Sequence, residues 1–76
     1  IFDIPESRRG ARRALQWKLR DLDCFLLQRS VYLYPYECKK EITTIVKYFD
    51  VQKYVRYLIV TEIDNETAMK AHFSLL

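Results

Sequence analysis

Two amphipathic helices separated by β-type segments constrain the fold of this 76-residue chain more than any other feature. The more regular helix is predicted over residues 38–50, where apolar side chains recur at i, i+4, i+7, i+8 and i+11. The other is predicted from about residue 5 to residue 22, with one apolar stripe formed by Ala11, Ala14, Leu15, Leu19 and Leu22. A helix with a single stripe buries only one side. Both helices are therefore expected to cover the same face of one sheet.

The segments between the helices have strand character. Residues 1–4 resemble the end of a strand, and residues 24–36 alternate in β-branched and aromatic side chains. The second run is predicted as one bent strand, or as two strands that meet near Arg29-Ser30. Residues 53–63 are apolar on both faces, which predicts a central strand, and residues 66–73 can form a short helix.

The resulting order is β-α-β-β-α-β with a C-terminal extension. We expect an α+β domain over residues 1–76, in which a split β-α-β arrangement forms an antiparallel sheet with two helices on one face. The other face keeps aromatic side chains, and such a face is commonly buried against a second copy.

Composition indicates an intracellular chain with a basic end. Lys and Arg outnumber Asp and Glu by 13 to 10, and the pI is about 9.0. Neither a signal peptide nor an apolar run of membrane length is present, so we expect a soluble, cytoplasmic protein that does not enter a membrane. Because the chain starts without Met inside a predicted strand, we also expect it to be a piece of a longer protein.

The two cysteines do not match a metal site. Thirteen residues separate Cys24 from Cys38, and this is not a zinc-binding spacing. Both fall on predicted core faces. They are therefore expected to be buried thiols in a reducing compartment.

Asp3 is the first candidate site residue. It lies where the opening strand meets the Pro5-Glu6 helix start, close to free N–H groups and the positive end of a helix dipole. A catalytic role would be cleavage through Mg²⁺, but magnesium needs several oxygen ligands, so a second carboxylate would have to come from another protomer. The alternative is a carboxylate that caps the helix and has no chemistry.

A cluster of arginines follows Asp3. Arg8, Arg9, Arg12 and Arg13 fall within six residues, and a planar guanidinium pairs well with phosphate oxygens. These four side chains are predicted to bind nucleic acid without sequence preference and with strong salt dependence. The alternative is a solvated helix face on which some arginines pair with Glu6 and Asp21.

Two sequence segments carry a resemblance to known families. They are Phe2-Asp3-Ile4-Pro5-Glu6 with Arg8-Arg9, and Leu27-Gln28-Arg29-Ser30-Val31-Tyr32 followed by Pro35. Together they resemble the CRISPR-associated Cas2 endonucleases and the central Cas2-like domain of PaaX-type transcriptional repressors. The continuation Tyr34-Pro35-Tyr36 is more similar to the PaaX branch. Where relatives usually have Gly before the second strand, this chain has Asp23, which also tolerates a left-handed turn.

The resemblance implies a ferredoxin-like fold and a homodimer joined through its sheets. In Cas2 nucleases the aspartate at the end of the first strand, matched here by Asp3, holds a divalent metal together with its symmetry mate. Ser30 matches the family's serine in the second-strand motif. In CRISPR integration complexes such a dimer is a scaffold along duplex DNA, and in PaaX-like repressors the domain accompanies a DNA-binding domain.

Three hypotheses follow. The leading one is a dimeric scaffold or regulatory module that associates with double-stranded DNA or RNA, together with either the CRISPR integrase or an attached DNA-binding domain. The second is a Mg²⁺-dependent endonuclease that uses Asp3 from both protomers. The third is a protein–protein dimerisation module that does not bind nucleic acid.

Overall fold

The order of elements agrees with the sequence pattern except near the end. The computed structural model describes residues 1–74. Its helices and strands are α1 (Arg9–Asp21), β1 (Phe25–Gln28), β2 (Val31–Leu33), α2 (Lys39–Phe49) and α3 (Thr67–His72), with short 3₁₀ turns at Glu6–Arg8 and Gln52–Tyr54. The predicted α+β class is confirmed. Within residues 1–74, no helix is both long and apolar enough to cross a membrane.

The sheet is built around a hairpin and the N-terminal segment. β1 and β2 pair antiparallel, and they meet at a turn in which Ser30 has a φ of 64°. The N–H of Phe2 donates to the carbonyl of Ser30 at 3.1 Å, which places the N-terminal segment beside β2. On the other side Phe2 forms an antiparallel bridge with Val55. The lateral order is thus residues 54–56, residues 1–3, β2 and β1, as expected for a ferredoxin-like fold.

The core lies between the helices and this sheet. α1 contributes Leu15 and α2 contributes Ile42, and both meet Phe2 from the N-terminal segment. The buried residues of the described chain are all apolar: Phe2, Ile4, Ala11, Leu15, Leu19, Cys38, Ile42, Val46 and Val51. The apolar stripes predicted for the two helices are therefore buried in one core, and the remaining sides of both helices are exposed.

The prediction of a central strand over residues 53–63 is wrong in this structure. Residues 52–54 form a 3₁₀ turn, Val55 makes the only bridge, and residues 56–60 have no regular secondary structure. Arg56 is opposite Ile1 in the antiparallel register. The Arg56 N–H donates to the Ile1 carbonyl at 2.7 Å, and the Ile1 amino group donates to the Arg56 carbonyl at 3.0 Å. Within residues 1–74, no bridge continues this pairing beyond Arg56.

The short C-terminal helix is confirmed, and it contacts the turn that follows α1. In α3 the His72 Nε2 atom lies 2.9 Å from the carbonyl oxygen of Asp23 and 3.4 Å from its Oδ1. The ring of Phe25 stands edge-on to the His72 ring at 5.5 Å. These contacts hold the end of the described chain against β1.

Left-handed residues end both long helices. Asp23 follows α1 with a φ of 60°, as expected for a position where relatives have Gly, and Asp50 follows α2 with a φ of 54°. A side chain in this region is disfavoured by contact between Cβ and the carbonyl oxygen, although Asp tolerates it better than most residues.

We expect Asp50→Gly to raise the free energy of unfolding by about 0.5 kcal/mol, because relief of the left-handed strain exceeds the added freedom of the unfolded chain. Urea denaturation measures this change. Asp23→Gly is the matched control, and its gain should be smaller because it also removes the carboxylate that contacts His72. A lower stability for Asp50→Gly would show that the Asp50 side chain makes a contact worth more than the strain.

Candidate nucleic-acid interface

A polar cleft of about 810 Å³ lies between α1, the N-terminal segment and the β1–β2 turn. α1 supplies side chains at i, i+4 and i+8, namely Arg12, Gln16 and Arg20, which share one edge of the helix. The β1–β2 turn supplies Arg29 and Ser30. The remaining lining residues are Phe2, Asp3, Ile4, Glu6, Leu26 and Tyr32. Three guanidinium groups from two separate parts of the chain therefore face one cleft.

Two of these arginines lack an acidic partner. Within residues 1–74, neither Arg20 nor Arg29 forms a salt bridge or a side-chain hydrogen bond, and both side chains are exposed. Arg12 differs, because its guanidinium lies 2.7 Å from a carboxylate oxygen of Glu6. Two guanidinium groups without an acidic partner favour an anion at the cleft, against the opposing charge of the Asp3 carboxylate that also lines it.

The structure divides the predicted arginine cluster. The Arg8 guanidinium donates to the carbonyl of Phe49 at the end of α2. Arg9 and Arg12 lie 3.8 and 2.7 Å from Glu6, as the solvated-face alternative expected for some of them. Arg13 is exposed and has no ion partner among residues 1–74. Of the four, only Arg12 lines the cleft.

Asp3 lies at the same cleft with its side chain exposed. Its N–H donates to the carbonyl of Tyr54 at 2.8 Å, which fixes the main chain. The first helical turn has Pro5 at its N-cap and no side-chain cap bond, so the capping alternative for Asp3 is not seen. The carboxylate is therefore free to meet a ligand or a partner protomer.

The donor set around Asp3 does not fit a magnesium ion within one protomer. Residues 1–74 contain no group of three or more His, Cys, Asp or Glu side chains that could hold a metal. The nearest other acid of the cleft, Glu6, is occupied by Arg9 and Arg12. The arginines of the cleft also disfavour a bound cation. A magnesium site would need the carboxylate of a second copy.

The cysteines are unsuited to nucleophilic chemistry. Burial raises the pKa of the Cys24 thiol to about 11 and also raises the pKa of Cys38. Both are free thiols, and Cys38 belongs to the buried core. Cys38 is buried as predicted, whereas Cys24 is only half-buried, and the raised pKa values make both thiols weak nucleophiles.

Sequence reasoning assigned Arg8 and Arg9 to the interface but did not assign Arg20 and Arg29. A usable signal existed for Arg20, because it continues the helix edge of Arg12 at i+8. Arg29 had no such signal. Its position beside α1 depends on how the hairpin turn packs over the helix, which no local pattern in the sequence determines.

A comparison with known protein families shows which family this chain resembles. A family model described as the PaaX protein central Cas2-like domain matches residues 1–71. No curated protein and no solved structure matches the chain significantly.

Proposed function

The chain belongs to the family of PaaX central Cas2-like domains, and on that premise we propose that it is the dimerising, nucleic-acid-associated module of a PaaX-type transcriptional regulator. A scaffold role in CRISPR spacer acquisition is the related possibility within the same fold. The family match to the PaaX branch favours regulation. An attached DNA-binding domain would then supply sequence recognition, and this domain would supply contacts that do not depend on sequence.

The observation that carries the proposal is that Arg20 and Arg29 line the same cleft. Neither guanidinium group has an acidic partner among residues 1–74. Guanidinium groups bind phosphate oxygens through two parallel N–H···O bonds. Gln16 and Ser30 at the same cleft offer neutral donors for further phosphate oxygens. We propose that the cleft holds the sugar–phosphate backbone of a nucleic-acid duplex, DNA or RNA, in this way.

We also propose that the domain acts as a homodimer. An apolar run is exposed where the predicted strand was expected, with Leu58, Ile59 and Val60 at 57, 82 and 58% exposure. From residue 57 to residue 65, the described main chain forms no hydrogen bond. A second copy that pairs with this segment would satisfy the backbone and bury the apolar side chains. Sedimentation equilibrium measures the dimer directly.

Endonuclease activity is the alternative that the cleft supports less well. It would need Asp3 from both protomers to hold Mg²⁺ beside arginines that repel the ion. The phosphate-binding role proposed for the cleft does not depend on the Asp3 carboxylate.

We expect Asp3→Ala to bind a 20-base-pair duplex at least as tightly as the unmodified chain, because it removes a negative charge from a phosphate-binding cleft. Filter binding gives the affinity, and incubation with 5 mM Mg²⁺ or with EDTA gives cleavage. Asp3→Asn is the matched control, since it removes the charge and keeps the shape. The enzyme hypothesis would gain support from magnesium-dependent cleavage that both substitutions abolish. Absence of duplex binding at low salt would refute the proposed function.

A further inference from the structure

Trp17 stands exposed on the side of α1 that faces away from the core. Its side chain is 65% exposed, whereas Leu15, two residues earlier, is only 2% exposed. Within a helix these two positions point in nearly opposite directions. Within residues 1–74 the indole forms no hydrogen bond, aromatic pair or cation–π contact. An exposed tryptophan offers a large flat aromatic surface with low conformational freedom.

Two arginines adjoin Trp17 on the surface of α1. Arg13 and Arg20 lie at i−4 and i+3, so both are neighbours of the indole on the helix surface. Neither arginine has an ion partner among residues 1–74. Asp21, at i+4, also adjoins the indole, but its carboxylate lies 3.6 Å from the Lys18 ammonium group. An aromatic face between two unpaired cations matches a polyanion that carries aromatic rings.

This face is open and continuous with the cleft. At Gly10, one further turn towards the N-terminus, an added Cβ would have no atom within 4 Å apart from its chain neighbours and the backbone of its own helix. Arg20 belongs to both surfaces, because it lines the cleft and adjoins Trp17. From Arg13 to Arg20 the helix rises about 10 Å, which matches about three phosphate steps of one stacked strand.

We propose that Trp17 stacks on an unpaired base of a strand whose phosphates contact Arg13 and Arg20. In a duplex the bases are stacked and only their edges are accessible in the grooves, so the indole requires a single-stranded nucleotide. The inference rests on the proposed function, since the cleft would hold the adjoining duplex. It adds a preference for duplexes that carry a single-stranded extension, which the cleft alone does not give.

The only tryptophan among the 76 residues is Trp17, so its intrinsic fluorescence reports on this site alone. The chain is titrated with a blunt 20-base-pair DNA duplex and with the same duplex extended by three unpaired thymidines, and binding is followed in parallel by anisotropy of a label on the DNA. We expect the extended duplex to quench the fluorescence and to bind about tenfold or more tightly than the blunt one. Trp17→Ala should remove that preference, and Trp17→Phe should retain part of it.

Tyr48→Ala is the matched control, because Tyr48 is an aromatic residue of α2 with 82% exposure. It should leave the preference unchanged. Saturating binding of the extended duplex without a change in Trp17 fluorescence would overturn the proposal, and so would a Trp17→Ala variant that keeps the preference. An indole whose emission shows it covered by protein in the absence of DNA would overturn it in favour of a protein partner. In each of these cases duplex binding through the cleft persists, whereas loss of all binding to both duplexes by the unmodified chain refutes the proposed function as well.

Discussion

The double variant Arg20→Gln, Arg29→Gln is expected to bind a DNA duplex about 100-fold more weakly than the unmodified chain near 100 mM salt. Each substitution removes one charge-assisted contact to phosphate, for which a loss of about tenfold is reasonable. The plot of log affinity against log salt concentration should also become shallower by about two, since each phosphate contact releases about one counterion. Glutamine keeps an N–H donor and the aliphatic part of the side chain but carries no charge, so the change in salt dependence reports on charge.

The matched control for that experiment lies on α2. Lys40 and Lys47 are exposed cations without an ion partner among residues 1–74, and neither lines the cleft. Lys40→Gln, Lys47→Gln therefore removes the same total charge and should change the affinity by less than about threefold, through the long-range field alone. Equal losses in the two double variants would mean that net charge, rather than the cleft, attracts the nucleic acid.

The substitution Leu15→Ala is expected to lower the free energy of unfolding by about 3 kcal/mol. Leu15 is 2% exposed and is among the largest fully buried side chains of the described chain. Truncation of a leucine at such a position costs the transfer free energy of the lost atoms and leaves a cavity. A domain of this length has a total stability of roughly 4–11 kcal/mol, so the variant should melt far below the unmodified chain.

Leu58→Ala provides the matched comparison, because the same atoms are removed at a side chain with 57% exposure. Its cost in the isolated protomer should stay below about 0.5 kcal/mol. Urea denaturation of both variants at two protein concentrations tests the assignment. A large cost for Leu58→Ala that grows with protein concentration would support burial of this segment by a second copy. A small cost for Leu15→Ala would contradict the described core.

The helices could be predicted because their periodicity is local. The stripe around Leu15 and the stripe around Ile42 each depend only on residues within one helix, and both are buried as expected. The turn after α1 was also predictable, since Asp23 is one of the few residues that accept a positive φ. The family resemblance added the expectation of a ferredoxin-like fold.

The prediction of the last strand was wrong because strand formation depends on a pairing partner that is distant in sequence, and not only on local residue preferences. Residues 53–63 have high β propensity, but a ladder forms only opposite another segment, and residues 57–63 pair with no other segment of the described chain. The positions of the arginines also depend on the whole fold. Arg8 was grouped with its neighbours in sequence, whereas the fold directs it to the carbonyl of Phe49 and brings Arg29 to the cleft from another element.

The most direct test of the central claim, that the arginine-lined cleft receives nucleic acid, is to locate a bound duplex on the folded domain. Amide chemical-shift changes in the ¹⁵N-labelled chain, recorded as a 20-base-pair duplex is added at low salt, report every residue near the ligand. We expect the largest changes on residues 12–20 and 28–31, with smaller changes along α2. Changes confined to α2 or to residues 56–60, or no changes at all, would contradict it.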